Sequence, residues 1–381
     1  MKPHSIITII LISLFISPFA YGEESPKVDL SNLLSKLKLS GRAASAFYNS
    51  QGQTSSFRSG SFEVPEAKLV FMFQADDFNS ATFRFNLNNG GNNTPLVDYL
   101  FLQAKDFIPA LRNTWFNVSG RLGRFKQPFG EETQTNNVVE GILPSNSAAN
   151  VGVTDEGIEL SGKIWAVAVG NGNSVVGSDS GQGKSFLGRL FYTPIDPLFI
   201  STSYYHSGKL KASSADMSIA GITAPASGAT NWTRQVAEID FRYDLGKGKK
   251  PLNPPAYSDS QAFFRFSLGA FKDGSTGGNA QKRQAHFGFV ESLWNLPDVW
   301  NVLSHFYLAG RVSTIKLRGA STTASLNSVT ANVYSRYSFG GGYRCSDNML
   351  LKLGYDINYT KGSGINDTAD NLLSLVASLR F

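Results

Sequence analysis

The sequence predicts an all-β fold, a transmembrane antiparallel up-and-down β-barrel of about 16 strands. Three observations predict it. The chain opens on an export-type leader, it then alternates apolar and polar residues over segments too long for an ordinary soluble sheet, and it ends on an alternating strand whose last residue is Phe381. Composition agrees, because only 17% of the 381 residues are charged, where a soluble domain has roughly 25%. The 37 glycines and 12% aromatics make a strand-favouring mixture punctuated by turn formers. That mixture excludes a coiled coil, a helical bundle and a disordered chain.

Residues 1–22 are expected to be a signal peptide, leaving a barrel domain over 23–381. Lys2 supplies the positive start, Ile6 to Phe19 the apolar stretch, and Ala20-Tyr21-Gly22 the small residues that a signal peptidase reads. The apolar run falls short of the ~20 residues that a spanning helix needs. No later segment approaches 18 consecutive apolar residues, which excludes a helical membrane protein. With 35 Lys+Arg against 29 Asp+Glu the chain is mildly basic, and no nucleic-acid motif accompanies that charge.

The strand assignments rest on period-two alternation. Met349, Leu351, Leu353, Tyr355, Ile357 and Tyr359 interleave with Leu350, Lys352, Gly354, Asp356 and Asn358. Ala81, Phe83, Phe85 and Leu87 alternate with Thr82, Arg84, Asn86 and Asn88, and Ala237, Ile239, Phe241 and Tyr243 with Glu238, Asp240 and Arg242. Such a face pattern fits a soluble sandwich as well as a barrel wall, so length decides. Soluble strands run about 5–6 residues, whereas a tilted spanning strand needs about 9–11. Strands are expected near 37–48, 62–74, 80–88, 96–105, 114–126, 156–163, 164–170, 184–192, 198–206, 232–243, 261–272, 283–293, 303–312, 332–344, 348–359 and 371–381. The connection 244–260 is the weakest point of that threading, being long for a turn on the periplasmic side.

With the N-terminus in the periplasm, the long Gly/Ser/Asn-rich connections fall outside and the short ones, such as Ala75–Asn79 and Pro194–Pro197, fall inside. Trp115, Trp165, Trp294 and Trp300 then sit at inner ends and Trp232 near an outer one, where amphipathic rings favour the interface. Cys345 is the single cysteine, so one chain can form neither a disulfide nor a cysteine metal site.

Two stretches carry resemblances. The final strand, Leu373, Leu375, Ala377, Leu379 and Phe381 on one parity, resembles the carboxy-terminal signal that the barrel assembly machinery reads in Gram-negative outer-membrane barrels. Gly123-Arg124-Phe125-Lys126-Gln127-Pro128-Phe129-Gly130-Glu131-Glu132, followed by Asp155-Glu156-Gly157-Ile158-Glu159-Leu160-Ser161-Gly162, resembles the strand–loop–strand core of the phosphate-selective porin O and P family. The similarity covers roughly 62–165 and the last strand. It implies a sixteen-stranded, homotrimeric outer-membrane channel whose third outside loop, here 127–155, folds into the lumen. It does not carry phosphate specificity over to this chain.

On that threading the inward parity carries Lys38, Arg42, Arg84, Arg121, Arg189, Arg242, Arg265, Arg311, Arg336, Lys352 and Arg380 against Glu159, Glu238, Asp240 and Asp356. Arg42, Arg84, Arg121, Arg189, Arg265, Arg311, Arg336 and Lys352 are the pore-lining candidates, with Arg84 and Arg121 closest to the narrowing. Glu131, Glu132 and Glu140 are the candidates for the constriction loop, which holds no Lys or Arg over 127–155. A basic wall facing an acidic loop would set a transverse field and favour anions. For each arginine the competing role is an ion pair that holds strands and loop together.

Chemistry finds little support. Gly177 to Ser185 resembles a phosphate-binding loop but has one residue too many before Gly183-Lys184, and His206, His286 and His305 lack metal-ligand spacing. No catalytic residue, cofactor or metal is expected. The expected function is passive diffusion of small anions or hydrophilic solutes through an outer-membrane porin, with membrane lipid and lipopolysaccharide as surroundings. Two alternatives stay open: a non-conducting barrel that acts as a surface adhesion or binding protein, and a barrel that scaffolds hydrolysis, which would need turnover lost when one Ser or His is changed.

Overall fold

The computed structural model describes residues 34–52, 57–88, 96–152, 154–172, 183–211, 218–219, 231–246, 255–257, 260–276, 283–297, 303–319, 324–326, 329–331, 333–361 and 370–381. The expected leader, Trp300 and most of the Gly177–Ser185 stretch lie outside the described residues. The chain divides into Met1–Leu37 and Lys38–Phe381, and the second unit is the barrel.

Its wall strands are β1 (Leu37–Ser50), β2 (Ser61–Gln74), β3 (Asn79–Asn86), β4 (Val97–Ala104), β5 (Ser119–Lys126), β6 (Thr154–Ser161), β7 (Trp165–Gly170) and β8 (Ser185–Ile195). The second half is β9 (Leu198–His206), β10 (Asn231–Leu245), β11 (Ala262–Thr276), β12 (Arg283–Asn295), β13 (Phe306–Gly319), β14 (Val333–Arg344), β15 (Met349–Lys361) and β16 (Leu372–Arg380). Each strand pairs antiparallel with its neighbours in sequence. The sheet closes where Arg42 stands opposite Arg380 and Ser50 opposite Leu372. Phe381 completes the seam, since its amide donates to the Gly41 carbonyl and its carbonyl accepts from the Gly41 amide. Closure of this kind removes the free sheet edge, the form a sheet needs in hydrocarbon.

The wall is uneven in height. Strands β10 to β15 run 12 to 15 residues, whereas β3 to β9 run 6 to 11. Along β10 the buried set Arg234, Val236, Glu238, Asp240 and Arg242 alternates with exposed Ile239, Phe241 and Tyr243, so the polar parity faces in and the apolar parity faces out.

Several boundaries shift from the alternation reading. The fifth strand starts at Ser119 rather than at 114, because the preceding residues fold into a compact corner. There Asp106 adopts φ 45°, Arg112 Nε donates to its carbonyl at 2.9 Å and Asn117 Nδ2 to its Oδ1 at 2.7 Å. Across the connection 244–260, Leu245 pairs directly with Ala262. Its Ala256 is fully buried and packs among Ile142, Leu143, Phe263, Leu293, Tyr307 and Leu350. The Ala256 amide donates to the Glu140 carbonyl at 3.2 Å.

The hydrophobic core therefore lies inside the barrel. The connection between β5 and β6, with one short helix α1 (Glu131–Thr135), crosses the lumen and packs on the far wall. Phe129, Ala148, Ala149 and Val151 of this loop join Leu187, Tyr205, Phe271, Phe287, Phe289 and Ile315 of the wall. Val139 reaches Ala44, Ala46 and Val376 beside the seam.

Gly123 lies within β5, between Phe101 and Gly157 of the flanking strands, with φ +130°, and a Cβ there would meet the Leu100 carbonyl of the neighbouring strand. Gly123→Ala is expected to destabilise the barrel by about 1–3 kcal/mol. Unfolding followed by the heat-dependent shift on a denaturing gel should show a lower transition temperature than the parent.

Candidate functional site

With the loop packed against β7 to β16 and against Ala44 and Ala46 of β1, the remaining opening lies along β1 to β5. A cavity of about 580 Å³ runs between the wall of β1 to β5 and the loop. The wall contributes Arg42, Glu66, Lys68, Arg84, Asp98 and Lys126, and the loop contributes Thr133 and the amides Asn136, Asn137, Asn146 and Asn150.

The wall charges form a ladder in which each carboxylate is shared. Glu66 accepts from Arg42 and stands 3.7 Å from Lys68 Nζ, while Asp98 lies 3.1 Å from Lys68 Nζ and 2.6 Å from Arg84 Nη2. Arg84 also stacks over Tyr99, with its guanidinium carbon 3.3 Å from the ring centroid. Lys126 donates to the Thr133 carbonyl and so links the wall to the loop. Four cations face two carboxylates, which leaves the opening net positive. Asp98 reaches the lumen because the β3–β4 register slips between Arg84 and Phe85. Tyr99, opposite Arg84, also lines the cavity, and a bulge lets two successive residues project to one side.

The loop acids do not form an acidic face toward this opening. Glu131 is buried, with its oxygens 3.3 Å from Arg189 Nη2 and 3.6 Å from Arg242 Nη1. Burial pushes its carboxyl above the usual range, against the opposing pull of Arg189, Arg265 and Arg242. Glu132 is buried too, and it accepts from the Ser147 amide at 2.8 Å and from the Ser147 hydroxyl. Glu140 alone of the three is partly open, and it meets Arg42 Nη1 at 3.2 Å.

The eight wall candidates separate by height and side. Arg42 and Arg84 border the opening. Arg121 forms a two-pronged pair with Glu159, Nη2 lying 2.6 and 2.7 Å from its two oxygens. Arg189, Arg265, Arg311 and Lys352 are buried against the loop. Arg265 pairs with Glu291 and donates to Thr135 Oγ1 at 2.6 Å. Arg311 holds Glu291 at 2.7 Å and the Ser145 carbonyl at 2.7 Å. Lys352 donates to the carbonyls of Val138 and Gly141, and Arg336 donates to that of Asn146 at 3.0 Å. Loop carbonyls and carboxylates thus take up the cations of the far wall.

Alternation did not single out Glu66, Lys68, Asp98, Lys126 or Glu291. Leu69 to Phe73 are apolar on both parities, which hides the inward set of β2. Glu291 sits between Phe289 and Leu293 on an inward face that is apolar because the loop packs on it. Asp98 was concealed by the register slip.

No family model matches the sequence, and no curated protein matches it. Solved structures do. The outer membrane channel DcaP of Acinetobacter baumannii aligns over 91% of this chain and 97% of its own, at 10% identity and a TM-score of 0.61. An anion-selective porin from Comamonas acidovorans aligns over 91% and 99%, at 12% identity and 0.55. The trimer form of OmpT, an outer membrane protein of Vibrio cholerae, aligns over 91% and 99%, at 9% identity and 0.54.

Glu291 is the shared countercharge of two buried arginines, so Glu291→Gln should cost about 3–5 kcal/mol. A lowered unfolding temperature together with noisier single-channel current would report a loosened loop. The fold of this chain is that of the outer-membrane porins, a closed sixteen-strand antiparallel barrel.

Proposed function

We infer that this chain is an outer-membrane channel through which small hydrophilic solutes and ions diffuse, with a lean toward anions. The observation that carries the reading is the opening itself, a polar cavity inside a closed barrel, bounded by Arg42, Lys68, Arg84 and Lys126 against Glu66 and Asp98. A hydrated path between low-dielectric walls focuses the field of those groups, so excess positive charge raises the local anion concentration. The likeness to porins supports the channel, and the anion-selective neighbour supports the sign. Residues 1–22 act as the export leader in this reading, and three chains assemble as one unit, as in the trimer form of OmpT. Solute moves by diffusion and no covalent step is involved.

Selectivity here comes from the ladder and from Glu140 at its edge beside Arg42, because Glu131 and Glu132 face the far wall. The amides of Asn136, Asn146 and Asn150 add neutral donors and acceptors on the loop side. They suit hydrated or hydroxylated solutes of either sign. The extensive packing of the loop across the lumen also favours a second reading, a barrel that displays its outer loops and conducts nothing.

Planar-bilayer recording of refolded protein under a salt gradient separates the two. Stepwise channels with an anion-signed reversal potential are expected, and silence from verified folded protein would favour the second reading. Arg42→Gln with Arg84→Gln should lower the anion-to-cation permeability ratio by roughly twofold or more, as screened charges at a wet surface allow. An unchanged ratio would remove these two residues from the role.

A further inference from the structure

Among the described outward positions of the taller wall, the charged ones stand at one end only. Near the end that holds Phe381, its outward positions include Tyr243, Trp294, Leu308, Phe339 and Leu351, all exposed and uncharged. At the opposite end, register sets Gln235, Lys272, Gln284 and Arg318 in one cross-strand row and Ala237, Ala270, His286 and Lys316 in the next. Lys272, His286, Lys316 and Arg318 are all exposed, and neither row contains an acid. Among the described residues Lys272, Lys316 and Arg318 enter no ion pair, in contrast to the cations of the lumen.

A shallow groove of about 230 Å³ on the barrel exterior runs along these rows, with Ala237 and Ala270 as its floor and Tyr204, Lys272, Gln284 and His286 around it, and Lys316 and Arg318 stand one strand beyond it, opposite His286 and Gln284. Strands about 4.8 Å apart place Lys272 and Arg318 ~10 Å from one another, with Lys316 one row, about 7 Å, along the strands. The next outward row toward Phe381 holds Ile239 and Leu268, then come Val290 and Val312, all exposed and apolar. The groove therefore opens straight onto the band that hydrocarbon covers.

We propose that this patch docks the phosphorylated headgroup of an anionic outer-leaflet lipid, with its acyl chains lying down the adjoining apolar face. The proposal rests on the outer-membrane reading above. Charge complementarity selects phosphate, because two unpaired ammonium groups and one guanidinium, which can bind two oxygens at once, share neighbouring rows of one face with no acid among them. The adjoining apolar surface selects a lipid over a soluble anion, since a free anion would leave that surface unused. A lipid there would also fix which end of the barrel faces outward.

The test compares the refolded protein with the triple variant K272Q/K316Q/R318Q, using bisphosphorylated lipid A, its dephosphorylated form and inorganic phosphate as probes. Native mass spectrometry of the detergent-solubilised protein reads retained lipid. The triple variant should retain at least about tenfold less bisphosphorylated lipid, given ~1 kcal/mol per surface cation. The charge-matched control R58Q/K105Q/K163Q, altered at exposed positions elsewhere, should match the parent. Equal retention by the triple variant, equal binding of the dephosphorylated lipid, or full displacement by excess inorganic phosphate would overturn the proposal. Bilayer conductance of the same preparations separates the failures. Intact channels without lipid discrimination sink only this site, whereas silent channels count against the channel reading.

Discussion

An unpaired backbone amide in hydrocarbon costs several kcal/mol, so a sheet can cross a bilayer only if it closes on itself. This chain closes by pairing its last strand with its first, from Arg42 opposite Arg380 to Ser50 opposite Leu372. The rest follows from that ring. A closed wall has an inside, and alternation then sorts each strand into a lumenal set and an outer set. Arg234, Glu238, Asp240 and Arg242 are turned inward, while Ile239, Phe241 and Tyr243 are turned outward.

What fills the inside decides where a solute can pass. The loop between β5 and β6 brings apolar residues to the far wall, and there its carbonyls and carboxylates meet buried arginines. Glu291 between Arg265 and Arg311, and Glu131 between Arg189 and Arg242, are the centres of this network. Removing one member of such a set leaves a buried charge without its partner, which is why these contacts fix the loop firmly once made. The consequence for selectivity is a division of labour among the wall cations. Arg189, Arg242, Arg265, Arg311, Arg336 and Lys352 hold the loop, and Arg42, Lys68, Arg84 and Lys126 border the opening.

Much of this was legible in the sequence, for identifiable reasons. Period-two alternation exposed the sixteen strands wherever one face was polar, as in Met349 to Tyr359. The long loop stood out as an acidic stretch without cations. The orientation of its acids did not, because Glu131 and Glu132 face buried arginines that come from strands far along the chain. The opening was only half legible. Arg42 and Arg84 follow from parity, whereas Lys68 lies beside an apolar run and Asp98 at a register slip. Glu291 was hidden by Phe287 and Phe289, whose inward rings make sense only once a loop packs on them.

The central claim is that the open path runs along β1 to β5 and that the loop seals the opposite side. Cysteine accessibility tests it most directly, in a background with the exposed Cys345 changed to Ser. A charged thiol reagent added during single-channel recording should produce a stepwise block at Asn86→Cys, which lines the cavity. The same reagent should leave the current unchanged at Ser267→Cys, which is fully buried behind the loop. Block at Ser267→Cys with none at Asn86→Cys would contradict the account.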